Sequence, residues 1–318
     1  MSTLKDVARL ANVSLATASY ALNGDMRIKK KTRDKVLEVA RKLNYVKNGS
    51  ASSLRRQKHD RILVFVSNFG GPVHQITLEY LYTKLKEKKY DMVVCNGENA
   101  RKMLSYQNFD GVINLDAMID QNLLMEASNY GYPIIDTTRR HENGKIISLP
   151  LRGKEPVYEV IKTALKEGYK SFGYMHGSIN SYDDAHRFKG FVRALNEAKI
   201  NDYQVFNGNF TIESGYQAIK QYLQNNNKLP EVIFFANDEM AIGALDYLKK
   251  INFDLKSVKI IGFDNITIGK YYLPSLSTIE IDRDYWTTNI VDRIIGIIDN
   301  ASYQEYDCKY KIIRRETF

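Results

Sequence analysis

The chain has 318 residues, 44% of them hydrophobic, which is enough for a sizeable core and more than one domain. No apolar run approaches the ~18 residues needed to span a bilayer, and Lys5, Asp6 and Arg9 break up the region where a secretory signal would lie. Two cysteines, Cys95 and Cys308, make no disulfide framework and suit a reducing cytoplasm, and the net charge of +9 is compatible with a polyanionic partner.

In chain order, Thr3 is placed to cap a helix starting at Leu4, with Asp6 where a capping box puts an acid. Leu4, Val7, Ala8, Leu10 and Ala11 recur at helical spacing. Asn12 suits a left-handed turn residue, and Ser14 is a ready N-cap for a second helix, Leu15 to Asn23, stopped by Gly24. A third helix is expected from about Thr32 to Asn44. Two short helices joined by so tight a turn read as a helix-turn-helix. The charge is concentrated here: residues 1–61 hold fifteen Lys and Arg against five acids, and the remainder is nearly neutral. A basic head on a neutral body is the footprint of nucleic-acid binding.

The stretch KNGSASSLRRQKHD, from Lys47 to Asp60, is polar and reads as a linker with one isolated apolar residue, Leu54. Beyond it, RILVFVS, DMVVCN, DGVINL, PIIDTT, SFGYMH, QVFNGN, EVIFFAN and VKIIGFD read as strands. Helices are expected between them, among them Leu78 to Lys88, Pro156–Glu167, Ala185–Ala198 and Ser214–Asn225. Strands alternating with helices argue for parallel sheets. About 255 residues is too much for one sheet of ordinary size, so two α/β lobes are expected.

No catalytic constellation emerges. Gly262 and Gly269-Lys270 have the wrong spacing for a phosphate loop, and Tyr271 stands where Ser or Thr would be needed. His59, His74, His141, His176 and His186 form no metal-ligand spacing with one another or with cysteine. No cofactor, metal or enzyme activity is expected. Polar residues instead gather at strand ends, where ligands bind in open parallel sheets: Arg187 at a helix start, Asn237-Asp238 after EVIFFA, and Asp264 after KIIGF. Carboxylate, amide and guanidinium together match sugar hydroxyls, which both donate and accept. Asp238 and Asp264 could equally be helix caps.

The run TLKDVA-x-x-A-x-VS-x-AT-x-S-x-x-LN, then TR-x-x-V and L-x-Y, resembles the head of the LacI/GalR family of bacterial transcriptional regulators. RFKGF, ANDEMAIGAL, IIGFDN and LPSLSTI resemble segments of its body, so the likeness covers nearly the whole chain. It implies a small all-α helix-turn-helix head (1–46), a hinge (47–60) and an α/β two-lobed periplasmic-binding-protein-like body with parallel sheets (61–318). Lobe one is expected at about 61–150 and 283–310, and lobe two at about 151–282 and 311–318. A cytoplasmic homodimer is implied that binds a near-palindromic double-stranded operator, usually to repress. A transport protein of the same body fold and a sugar-active enzyme are the rival readings.

The resemblance also implies site residues. Leu15, Ala16 and Tyr20 would meet base edges, supported by Leu4, Ser14, Thr17 and Ser19 and, further on, by Asn23, Lys29 and Thr32. In the hinge, Asn48, Ala51 and Leu54 match the pattern, with Leu54 as a minor-groove wedge; Lys47 stands where the family usually has Pro. The effector, a sugar or sugar derivative, would lie between the lobes against Asp183, Arg187, Phe210, Asn237 and Asp264. Phe69, Gly71 and His74 would face it from the other lobe. Two departures matter. The family's Asp-Arg pair becomes Thr138-Arg139, and Arg283 takes a place where an uncharged residue is common. Arg139, Arg187 and Arg283 around Asp264 suggest an electropositive cleft and an anionic effector such as a sugar phosphate, with a neutral sugar as the alternative. Arg283 could instead turn outward to Asp282 or Asp284.

Overall fold

A computed structural model describes residues 2–45, 58–142, 144–178, 181–302 and 309–318. Asn48, Ala51 and Leu54 lie outside the described residues. The chain divides into two compact units, Met1–His59 and Asp60–Phe318.

Among its described residues the first unit holds three helices, α1 (Leu4–Ala11), α2 (Leu15–Leu22) and α3 (Lys30–Lys42). Thr3 and Asp6 form the capping box: the Asp6 amide donates to Thr3 Oγ1 and the Thr3 amide to Asp6 Oδ2 at 3.0 Å. Asn12 turns the chain with φ 51°, and Ser14 Oγ accepts from the Thr17 amide at 3.0 Å to start α2. Gly24, at φ 72°, ends the motif in a conformation that favours glycine. The core is small and rich in alanine (Val7, Ala8, Ala11, Ala18, Ala21, Val36, Ala40), which lets short helices pack closely. α3 begins two residues before the expected Thr32 and ends at Lys42. Lys29 occupies its N-cap without a side-chain hydrogen bond, so no start signal marks it.

The second unit is the α/β body. One sheet has the order β2-β1-β3-β4-β5, all parallel: β1 (Arg61–Val66), β2 (Asp91–Asn96), β3 (Gly111–Asn114), β4 (Ile134–Asp136) and β5 (Ile147–Ser148). β1 and β3 are almost wholly buried, as continuous apolar runs in parallel sheets are. Its helices are α4 (Pro72–Glu87), α5 (Ala100–Ser105) and α6 (Gln121–Asn129). α4 starts at Pro72, six residues before the expected Leu78, because Gly71 caps it and proline fits the first turn.

The other sheet, among the described residues, has the order β11-β10-β9-β8-β6-β7. Its strands are β6 (Phe172–His176), β7 (Gln204–Asn207), β8 (Val232–Phe235), β9 (Lys259–Phe263), β10 (Ser277–Ile281) and β11 (Tyr310–Ile313). β11 alone runs antiparallel, on β10. α7 (Lys154–Lys166), α8 (Tyr182–Glu197), α9 (Ile212–Asn225), α10 (Asp238–Lys250) and α11 (Thr267–Tyr271) complete this lobe. β5, β10 and β11 were not expected as strands.

The chain leaves the first lobe after Ser148 and returns at Asp282. There α12 (Arg283–Ile298) packs on α4 and β3, so closely that a Cβ on Gly111 would lie 2.8 Å from Ile294 Cδ1. By Tyr310 it is again in the second sheet, so that residue belongs with β11 rather than with the first lobe. The Trp286 indole, donating to the Leu149 carbonyl at 3.1 Å, ties the first and second crossings together.

Candidate DNA-reading helix and effector cleft

On α2 the periodicity separates inside from outside. Ala18 and Ala21 are buried, while Leu15, Ala16 and Tyr20 are exposed. Ser14 and Thr17 are joined at 2.8 Å through their hydroxyls and serve the helix start. Ser19, Thr32 and Leu4 are half-buried, with Leu4 packed on the head's core, and Asn23 and Lys29 are exposed. One residue was missed. Arg27 lies over the Tyr20 ring, 5.1 Å from its centroid, and is held there by Asp25 through Nε–Oδ1 at 3.0 Å and Nη2–Oδ2 at 2.7 Å. Hydrogen bonds from the Arg27 side chain and backbone draw the Asp25 carboxyl down to about 2. The Asp-x-Arg spacing after Gly24 was the available signal.

In the body, the carboxyl end of the second sheet and the helices that follow its strands bring Asp183, Arg187, Phe210, Asn237, Asp264 and Arg283 together. Asn237 caps α10, accepting from the Met240 amide at 3.1 Å while its amide donates to the Phe210 carbonyl at 2.9 Å. Phe210 is held at φ 68° with its ring over Gly177, which has no Cβ to obstruct it. The Arg187 guanidinium stacks 3.8 Å from the Phe263 ring centroid and donates to the Ala236 carbonyl. Arg283 turns inward: Nη2 meets Asp264 Oδ1 at 2.6 Å and Nη1 meets the Asp264 carbonyl at 3.1 Å, both residues being buried. Its acidic neighbours are occupied elsewhere. Asp282 caps α12 and Asp284 pairs with Lys84 at 2.9 Å.

Three atoms in this group are buried without a hydrogen-bond partner: Asp183 Oδ1, Arg187 Nε and Arg283 Nε. Burial, and then the Asp264 charge against the pull of Arg187, pushes the Asp183 carboxyl up to about 7.

From the first lobe, Thr138 and Arg139 follow β4. A carboxylate lies two residues earlier, at the end of that strand. Asp136, fully buried, accepts from the Thr138 amide and hydroxyl (2.8 Å each), from Asn114 (3.0 Å) and from His141 Nε2 (2.7 Å). Arg139 donates to the Ala117 carbonyl and to Thr138. Asp136 and His141 were missed, because the tight turn after β4 folds them back together. Phe69 is exposed, and Gly71 faces the second lobe, with Glu239 Oε2 3.9 Å from where its Cβ would be. His74, in the first turn of α4, bonds back to the Gly70 carbonyl. His176 is not aimed at a ligand; it and Tyr174 share the buried Asp184 carboxylate.

A model of bacterial regulatory proteins of the lacI family matches residues 3–48, and one of periplasmic binding protein-like domains matches residues 161–318. A probable HTH-type transcriptional repressor ExuR of Bacillus subtilis (strain 168) is 31% identical over 291 residues, which is 88% of this chain and 86% of the relative. The chain belongs to the lacI family of bacterial regulatory proteins. It is a DNA-binding transcriptional regulator, not an enzyme. A sugar-binding transcriptional regulator of the same family from Enterococcus faecalis has a solved structure that superposes with a TM-score of 0.76 at 28% identity, covering 83% of this chain and 99% of that one. A lac repressor dimer bound to operator shares the fold at a TM-score of 0.86 and 21% identity, covering 99% of this chain and 98% of that one. No helix among the described residues is long and apolar enough to cross a membrane.

Proposed function

We propose that this lacI-family member is an effector-controlled repressor that acts in the cytoplasm as a homodimer on a near-palindromic operator. The observation that carries the effector half is the set of buried, unpartnered polar atoms gathered near Asp264 at the carboxyl end of the second sheet, Asp183 Oδ1, Arg187 Nε and Arg283 Nε. A buried polar group without a partner costs stability, and a ligand bearing hydroxyls supplies both donors and acceptors. Phe210 offers an apolar face beside them. The effector class is therefore a sugar or sugar derivative, in keeping with the sugar-binding relative of Enterococcus faecalis. Closure of the lobes on the ligand shifts the two heads of the dimer relative to each other, a rigid-body route to switching DNA affinity.

The surplus positive charge expected on the cleft floor is smaller than the composition suggests. Arg283 is matched by Asp264, and Arg139 lies 3.7 Å from Asp136. The test is fluorescence anisotropy on a selected operator with a panel of sugars, sugar acids and sugar phosphates. A compound that changes operator affinity at least about tenfold, a typical allosteric coupling, supports this reading. No response to any class, together with no binding by calorimetry, removes the effector half.

A further inference from the structure

Beside the cleft, where the chain first crosses between lobes, lies a cavity of about 260 Å³ lined by Arg140, His141, Ser148, Leu149, Pro150 and Arg152. No acid lines it among the described residues. Its wall is fixed: the Leu149 carbonyl is held by Trp286, and Asp136 holds His141 by Nε2. The Ser148 hydroxyl oxygen accepts from the His141 amide at 2.8 Å, which leaves its proton to donate. The cavity adjoins the effector residues, since a Cβ on Gly153 would lie 2.7 Å from Arg187 Cγ.

Positive charge from both lobes gathers around His186. His186, which precedes Arg187 on α8, is held below the usual imidazole range by burial first and then by the charges of Lys189, Arg140 and Lys154. Arg140 comes from the first lobe, while Lys154 and Lys189 belong to the second. Like charges brought together from two lobes oppose closure, and an anion between them reverses the sign of that interaction. Guanidinium groups match the planar or tetrahedral oxygens of carboxylate and phosphate bidentately.

We propose that this cavity is an oxyanion site in which Arg140, Arg152 and the Ser148 hydroxyl hold a phosphate or carboxylate group and thereby favour lobe closure. The oxyanion is either carried by the effector or a free phosphate ion. Its regulatory role rests on the effector reading above, but the site itself does not, and it can be measured without DNA or sugar.

The experiment is calorimetric titration of the full chain with inorganic phosphate. Saturable binding is expected, weakened at least about tenfold in an Arg140→Gln/Arg152→Gln double variant, as loss of charge-assisted hydrogen bonds requires. Arg193→Gln, which changes a second-lobe arginine paired with Glu155 and Glu197 outside the cavity, is expected to leave phosphate binding unchanged. Absence of saturable binding, or equal binding by the double variant with its melting temperature retained, overturns the proposal. A second titration adds hexose phosphates to the phosphate-loaded protein. Displacement assigns the site to a sugar-borne group, and continued phosphate binding assigns it to the free ion; either result supports the site. Failure of every sugar to alter operator binding counts against the effector reading and leaves the phosphate titration standing.

Discussion

Arg283, the first residue of α12, reaches into the second sheet and pairs with Asp264 at 2.6 Å, with both side chains buried. The pair joins the helix that returns to the first lobe to the strand end that carries the effector residues. Breaking a buried pair by removing one partner strands the other charge, which costs about 3–5 kcal/mol. Arg283→Gln is therefore expected to lower unfolding free energy in urea by about that amount. Asp264→Asn added to Arg283→Gln should cost less than the sum of the two single changes. Strict additivity would show that the pair is not coupled.

The Asp238 carboxyl sets a pH dependence. It is fully buried, accepting from the Thr278 hydroxyl at 2.6 Å and the Ile266 amide at 2.8 Å. Burial, aided by the Asp264 charge and opposed by the Thr278 bond, raises it from 3.8 to about 8. The folded state thus favours the protonated acid. Its contribution to stability is complete below the unfolded value and is lost as pH rises towards the folded one, at up to ~1.4 kcal/mol per pH unit. Asp183 acts in the same direction up to about 7. On this account of Asp238, stability is expected to fall from about pH 4 to about 8, and Asp238→Asn should flatten that fall. An unchanged slope in the variant would remove Asp238 as the cause.

The Ser14 cap is local to α2. Ser14→Ala is expected to cost about 1 kcal/mol. Hydrogen exchange at the Thr17 amide, the donor in that cap, should quicken in the variant, and operator affinity should fall with it. Unaltered exchange at Thr17 would assign the helix start to something other than the cap.

Readout at Tyr20 should lack the strong guanine preference of an arginine, because a single hydroxyl cannot form a bidentate fork. Arg27, fixed over that ring by Asp25, is expected to act on phosphate. Arg27→Ala should weaken all sites alike and reduce the salt slope by about 1. Loss confined to one operator base would make Arg27 a base reader instead.

The head was legible because its signals are local: Thr3 with Asp6, Asn12, Ser14 and Gly24 each act within a few residues. The buried strands were legible as apolar runs. β5 was not, because Ile147–Ser148 is two residues long and becomes a strand only by pairing with Ile135 and Asp136. Arg283 illustrates the limit at the site. Acids lay beside it in sequence, and only the fold determines that it turns towards Asp264, nineteen residues away. Asp136 was not legible, because its role depends on a turn that brings His141 back onto it.

The most direct test of the account is selection of binding sites from random double-stranded DNA with the full chain, followed by anisotropy on the winning sequence. Enrichment of a near-palindrome is expected, bound at least about a thousandfold more tightly than random DNA and losing affinity steeply with salt. Recovery of no shared sequence, or equal affinity for selected and random DNA, would contradict it.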